Sequence, residues 1–256
     1  MACKLTTMNK AKYNENSYSG DRPTMRKSLF ILPILSILTL SSCNLFTDLT
    51  TPGDELPINM ETAKANLKTL ADSTGFEVTF RGSSKDSESE EQSGEMTVSM
   101  RGNVIWFYSE EEEMNGGALL TEDNKTVSFT FDEESDKYIG HVTSETREDY
   151  DAVVDSMTSS LLAAGAYDGM PGFHKRKELT YCDREATEYS FDFTVLMVKL
   201  KFTVIVDNEL GITLYLDMNA KVYVAGEEGR ATFEVLDFKT NATAPEVEIV
   251  EPTPEE

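Results

Sequence analysis

Three cysteines, two histidines and a few charge clusters are the residues of this 256-residue chain that could do chemistry. Cys182 has no histidine or second cysteine close in sequence, and it reads as a small packing residue. His141 falls in a strand beside Val142. His174 falls in a basic stretch with Lys175, Arg176 and Lys177. The chain holds no G-x-S-x-G, no H-E-x-x-H and no phosphate-cradling glycine loop. No catalytic residue and no cofactor is assigned, and the protein is read as non-enzymatic. The acidic runs Glu110–Glu113 and Asp132–Asp136 carry oxygens that Ca²⁺ would accept, but neither has EF-hand spacing. Both fall where turns between strands are expected, so they read as solvated loops and no metal site is assigned. The run His174–Lys177 is read as a solvated loop, with an anionic headgroup as its functional alternative.

Cys43 is different because of what precedes it. Met25-Arg26-Lys27 is a short positive region, followed by an apolar run from Leu29 to Leu40 that contains Pro33, then Ser41-Ser42-Cys43. The run is about a dozen residues, well short of the roughly 20 that a spanning helix needs, so it reads as a signal-peptide core. Leu40-Ser41-Ser42-Cys43 resembles the bacterial lipobox. That resemblance implies a diacylglyceryl thioether on Cys43, cleavage before it, and acylation of the new amino terminus. One acyl chain holds a protein marginally, at about 0.8 kcal/mol per buried CH₂, whereas two or three make attachment long-lived. The implied location is the extracytoplasmic side of a membrane in the cell envelope. Residues 1–24 do not fit this plan, and Met25 is well placed as an alternative start.

The formal charge is −23, with 39% hydrophobic and 27% charged residues. The first 42 residues hold six Lys/Arg against two Asp/Glu, so the remainder carries about −27. Such a surface repels phosphate backbones, and nucleic acid is excluded as a partner. If Cys43 is lipidated, Cys182 is the only thiol left in the folded part and no internal disulfide framework is available.

Four segments follow. Residues 1–42 are an N-terminal extension and signal peptide, and 43–58 a lipidated tether. Residues 59–242 form one domain, and 243–256, with three prolines and five glutamates, an acidic tail expected to be disordered. Met60, Ala63, Leu67, Leu70 and Ala71 have helical spacing, with Asn59 as N-cap and Gly75 as stop. A second helix is expected over about 148–164, its apolar face being Tyr150, Val153, Val154, Met157, Leu161 and Leu162. Period-two alternation marks the strands: Phe76/Val78/Phe80, Met96/Val98/Met100, Val104/Trp106/Tyr108 with Phe107 turned to the opposite side, Val127/Phe129/Phe131, and Tyr138/Gly140/Val142. Later come Tyr189 to Met197, Leu200 to Val206, Ile212 to Met218, Val222/Val224 and Ala231 to Val235. Short turns join sequential strands, so the fold class is mainly β (α+β), an antiparallel curved sheet of about 8–11 strands. One face is apolar, and two helices pack on its concave side.

The order helix, strands, helix, long meander carries a resemblance. So do Ala186-Thr187-Glu188-Tyr189 to Phe193, Phe202 to Asp207, Leu210-Gly211-Ile212-Thr213-Leu214 and Ala231-Thr232-Phe233-Glu234-Val235. Over roughly residues 60–240 the chain resembles the LolA/LolB/LppX-type half-barrel superfamily of envelope lipoproteins and lipoprotein carriers. The resemblance implies an open half-barrel with an apolar cavity for a lipid or acyl chain. Candidate lining residues are Phe80, Trp106, Phe129, Phe191, Phe193, Phe202, Leu214 and Phe233. Carriers of this type often place an arginine deep in the cavity, and Arg81 and Arg101 are the basic residues nearest apolar strands. The expected partners are a membrane, through the anchor, and a lipid or acylated ligand, with the protein itself a monomer. The competing expectation is a structural surface lipoprotein with a filled core that contacts other envelope components.

Overall fold

A computed structural model describes residues 53–250, apart from 87–89, 112, 164–166, 169, 171, 196 and 224–225. Cys43 therefore lies outside the described residues. Twelve strands form one sheet in the order β12-β6-β5-β4-β3-β2-β1-β11-β10-β9-β8-β7. They are β1 (Phe76–Lys85), β2 (Gln92–Arg101), β3 (Val104–Ser109), β4 (Met114–Leu120), β5 (Thr126–Asp132), β6 (Lys137–Val142), β7 (His174–Tyr181), β8 (Arg184–Val195), β9 (Val198–Asp207), β10 (Thr213–Val222), β11 (Glu227–Thr240) and β12 (Val247–Val250). Every neighbouring pair is antiparallel except β12 with β6. Two helices, α1 (Met60–Ser73) and α2 (Arg147–Leu161), cover the concave face. The fold is an open half-barrel.

Chain length requires the curvature. In a flat sheet β11 and β12 would stand seven strand spacings apart, about 33 Å. The link from Thr240 to Val247 reaches at most about 25 Å when fully extended. The sheet must curl to close that gap. Asn241 N–H donates to Gly75 O at 3.1 Å, and Arg101 Nη1 donates to Ala242 O at 2.8 Å, which holds the start of the link.

Helix α1 begins as its sequence directs. The Asn59 side chain accepts from Thr62 N–H at 2.9 Å, satisfying one of the free donors of the first turn. It ends at Gly75, whose φ of +74° suits glycine and whose N–H returns to Leu70 O. Ala63, Leu67 and Ala71 are at most 1% exposed and lie in one core with Phe76, Val78, Val98, Ile212 and Leu214. Each fully buried large side chain there stabilises by about 1.5–3 kcal/mol before ordering costs. Helix α2 opens on a capping box between Thr146 and Asp149. It sets Tyr150, Val154 and Met157 against Ile105, Phe107 and Ala118. Val153, expected on that apolar face, is 49% exposed.

The β9–β10 turn is built around Asp207. Its carboxylate accepts from Glu209 N–H at 2.9 Å, from Leu210 N–H and from Arg184. Gly211, at φ +70°, completes the turn, and a Cβ there would sit 2.7 Å from Ile58 Cγ2. The β7–β8 turn has φ of +49° at Cys182 and +58° at Asp183, the left-handed pair of a two-residue type I′ hairpin. It folds toward β11, where Cys182 Sγ donates to Val235 O at 3.2 Å.

The structure corrects several sequence expectations. Val247–Val250, expected in a disordered tail, forms β12, because Glu-Val-Glu-Ile-Val alternates well enough to pair with β6. The end of the tether is docked: Asp54 N–H donates to Phe173 O, Tyr189 Oη–H donates to Glu55 O, and Leu56 is 8% exposed. His174–Lys177, expected in a loop, opens β7, an edge strand. Positive side chains on an edge discourage pairing with other chains. Strand β4 went unforeseen because Gly116-Gly117 breaks its pattern.

Candidate functional site

The two faces of the β2–β6 region can be read from register. One row on the helix-covered face runs Met100–Ile105–Ala118–Ser128–His141, and the next runs Val98–Phe107–Gly116–Thr130–Ile139. Ser109 and Met114 form a pair on the same face. Helix α2 covers only the first of these rows and the edge of the second, since its contacts are Ile105, Leu120, Ala118 and Phe107. Past α2 the face is open. A groove of about 1210 Å³ occupies the gap, with Met96, Phe107, Met114, Gly116, Ser128 and Thr130 among its lining residues. The volume lies somewhat above the usual range of about 300–1,000 Å³ for small-molecule pockets, so there is room for a single-chain ligand.

The floor is thin on its β4–β5 side because the bulky residues of those strands point the other way. Trp106, Gly117, Phe129 and Gly140 share a row on the opposite face. The Phe129 ring lies over Gly117, whose added Cβ would fall 2.8 Å from Phe129 Cζ. Tyr138 meets it edge-on at 5.6 Å and donates its phenol proton to Asn115 Oδ1 at 2.8 Å. Phe129 is thereby 1% exposed with no helix above it. An aromatic laid across a strand glycine is a known way to restore packing there. The expected phase of β3 is thus reversed: Phe107 faces the helices and the groove, while Trp106 and Tyr108 face away.

Three exposed carboxylates, Glu110, Glu113 and Glu133, stand at the mouth of the groove on the β3–β4 and β5–β6 turns. These turns are the acidic runs noted in the sequence. Asp132 is occupied otherwise: it accepts from Ser135 N–H at 3.2 Å and from the Ser135 hydroxyl. The hydroxyl's bond first, helped by the backbone donors of Glu134 and Ser135, holds its pKa below the usual range against the opposing effect of burial.

The eight candidate lining residues separate into groups. Phe80 packs tilted against Phe233 at 5.2 Å between ring centres, and Phe191 likewise against Phe202 at 5.5 Å. Leu214 is fully buried under α1. Phe191 packs with Tyr189, Phe173 and Leu56 in a second core. Phe129 is among the residues lining the groove, although its ring lies with Trp106 on the far face. Phe193 belongs to β8, and its side chain lies outside the described residues. Arg81 is ion-paired to Glu95, and Arg101 holds the C-terminal link, so neither borders the groove. Met96, Met114, Ser128 and Thr130 were not singled out from sequence as ligand contacts, and the three glutamates only as members of acidic runs weighed for Ca²⁺ and read as solvated loops. The signal that could have found them is the alternative phase of β3, Ile105 with Phe107, which matches the helix face of β2.

Among the described residues no group of three or more His, Cys, Asp or Glu is arranged to hold a metal. Cys182 is a suppressed thiol: burial first, then the charges of Asp237, Glu234 and Asp183, push its pKa up. No protein-family model matches the chain, and no curated protein matches it. Among solved structures it is similar to a LolA superfamily protein from Nitrosomonas europaea, at 10% identity over 73% of this chain and 95% of that one, with a TM-score of 0.24. It is also similar to a DUF1329 family protein from Desulfovibrio piger, at 6% identity over 71% and 94%, with a TM-score of 0.23. Likenesses at that level carry no weight for function, and the site rests on its own geometry.

Proposed function

We propose that this protein is an envelope lipoprotein, held to a membrane by acyl chains on Cys43, whose half-barrel takes an apolar ligand without reacting it. The observation that carries the ligand half is the open groove beyond α2, with Met96, Phe107 and Met114 on its apolar side. The anchor half is supported by the order of charge, apolar core, small residues and cysteine before residue 44. A lipid or other single-chain amphiphile fits the groove's size and one-sided polarity. The test has two arms. Wild-type protein expressed in a bacterial host should partition with membranes and carry acyl mass on its mature amino terminus, and Cys43→Ala protein should do neither. Native mass spectrometry of detergent-free protein should show a bound chain, lost when Ser128→Phe and Thr130→Phe fill the groove. Both positions are exposed and can accept larger side chains.

A second reading, a scaffold with a filled core, is favoured by one observation. Phe80 and Leu214 are packed into one buried core and Phe191 into a second. On that reading the acidic turns meet other envelope components, and cross-linking on intact cells through those turns would recover a protein partner while the groove stays empty.

A further inference from the structure

We infer that the groove selects a single-chain amphiphile with a cationic head; this rests on the reading that the groove takes an apolar ligand. The floor gives no preference of charge. Met96 and Met114 are unbranched and deformable, which suits a chain of variable length, and Phe107, in the neighbouring row with Val98 and Gly116, supplies a flat wall beside them. Preference comes from the mouth. Glu110, Glu113 and Glu133 are exposed there, and the ion pairs among the described residues give none of the three a lysine or arginine. Cations of the surrounding strands are already engaged: Arg81 with Glu95, and Lys137 with Glu248. A chain lying on Met96, Phe107 and Met114 ends among three uncompensated carboxylates. An ammonium head would be attracted, a sugar head unaffected, and a sulfate or phosphate head repelled. Exposed charges act over about a Debye length, so salt should erase the preference without erasing the binding.

The experiment titrates the mature protein calorimetrically with decyltrimethylammonium, decyl maltoside and decyl sulfate, each below its micellar concentration. The ammonium should bind about tenfold more tightly than the maltoside and the sulfate more weakly still, with the spread closing in high salt. E110Q/E113Q/E133Q should close the spread while maltoside affinity stays within about twofold. Neutralising three exposed glutamates elsewhere, E61Q/E148Q/E246Q, should leave the spread open, which separates the mouth from the protein's overall field. Equal affinity for ammonium and maltoside in the wild-type protein would overturn the head-group inference and leave the groove reading standing. Binding of no amphiphile, or binding unchanged by Ser128→Phe/Thr130→Phe, would overturn the groove reading itself.

Discussion

One wing of the sheet, β1, β2 and β8–β11, buries its apolar residues under a second layer; the other, β3–β6, does so only where α2 reaches Ile105 and Leu120, and elsewhere buries them within the sheet itself. Phe76 and Leu214 are inaccessible because α1 and its neighbours cover them. Val127 and Phe129 reach the same burial without a helix, by lying beside Gly140 and over Gly117. The second solution turns bulk away from the concave face. What remains there on β4 and β5 between α2 and Met114 is Gly116, Ser128 and Thr130, too small to fill the space beyond α2. The groove is a consequence of how the open wing solves its packing problem.

The largest effect that could break this contrast is a deletion in the covered wing. Leu67→Ala removes a side chain 1% exposed at the centre of α1 and should cost roughly 3 kcal/mol, within the range for buried leucines. Met114→Ala at the groove should cost less than about 1 kcal/mol, because its side chain is only half-buried beside open space. Urea unfolding followed by circular dichroism measures both. Equal losses would show that the open wing is as tightly layered as the covered one.

A smaller effect tests the glycine device. A Cβ on Gly117 would lie 2.0 Å from Ile105 O and 2.7 Å from Trp106 Cα, both backbone atoms that cannot step aside alone. Gly117→Ala should cost roughly 2 kcal/mol through local overpacking. At Gly140 the nearest atoms are Val127 Cγ1 at 2.7 Å and Val247 Cγ1 at 2.8 Å, side-chain methyls that yield more readily than backbone atoms, although Val127 is buried and stiff. Gly140→Ala should therefore cost about half as much. Trp106 is the chain's single tryptophan and sits in the same row as Gly117. Its emission should shift in the first variant and stay nearly constant in the second.

The same contrast explains what could be read from sequence. The covered wing obeys simple rules: Phe76/Val78/Phe80 and Met96/Val98/Met100 alternate cleanly, and Asn59 and Gly75 bound α1 as capping chemistry requires. The open wing obeys a rule that needs partners. In Val104-Ile105-Trp106-Phe107-Tyr108 both phases are apolar, and only the position of α2 decides which one faces the core. Strand β4 carries two glycines, so its alternation is invisible until Phe129 is seen lying over one of them. The C-terminal strand was masked by surrounding prolines and glutamates, although Val247, Ile249 and Val250 have the right residue types. The acidic turns were legible as turns. Their convergence on one groove was not, because it depends on β3–β4 and β5–β6 ending on the same side of a curled sheet.

The smallest effect is chemical and needs no loss of stability. Cys182, in the β7–β8 turn, docks on the covered wing, tucked against Val235 O of β11 and near the charges of three carboxylates. Its thiol stays protonated beyond the usual range, first through burial and then through those charges. The sign follows: the neutral thiol is favoured in the folded state, so its contribution is complete below the ordinary thiol value of 9.0 and fades as pH rises through the higher folded value. A thiol placed in the open wing by Ser128→Cys faces solvent and should alkylate at an ordinary rate. At pH 8, iodoacetamide labelling resolved by peptide mass spectrometry should modify position 128 at least about tenfold faster than Cys182, since the thiolate is the reactive form. The gap should narrow as pH climbs above 9.0. Matched rates at pH 8 would mean that the β7–β8 hairpin lifts freely off β11, and that the covered wing is less closed than its burial indicates.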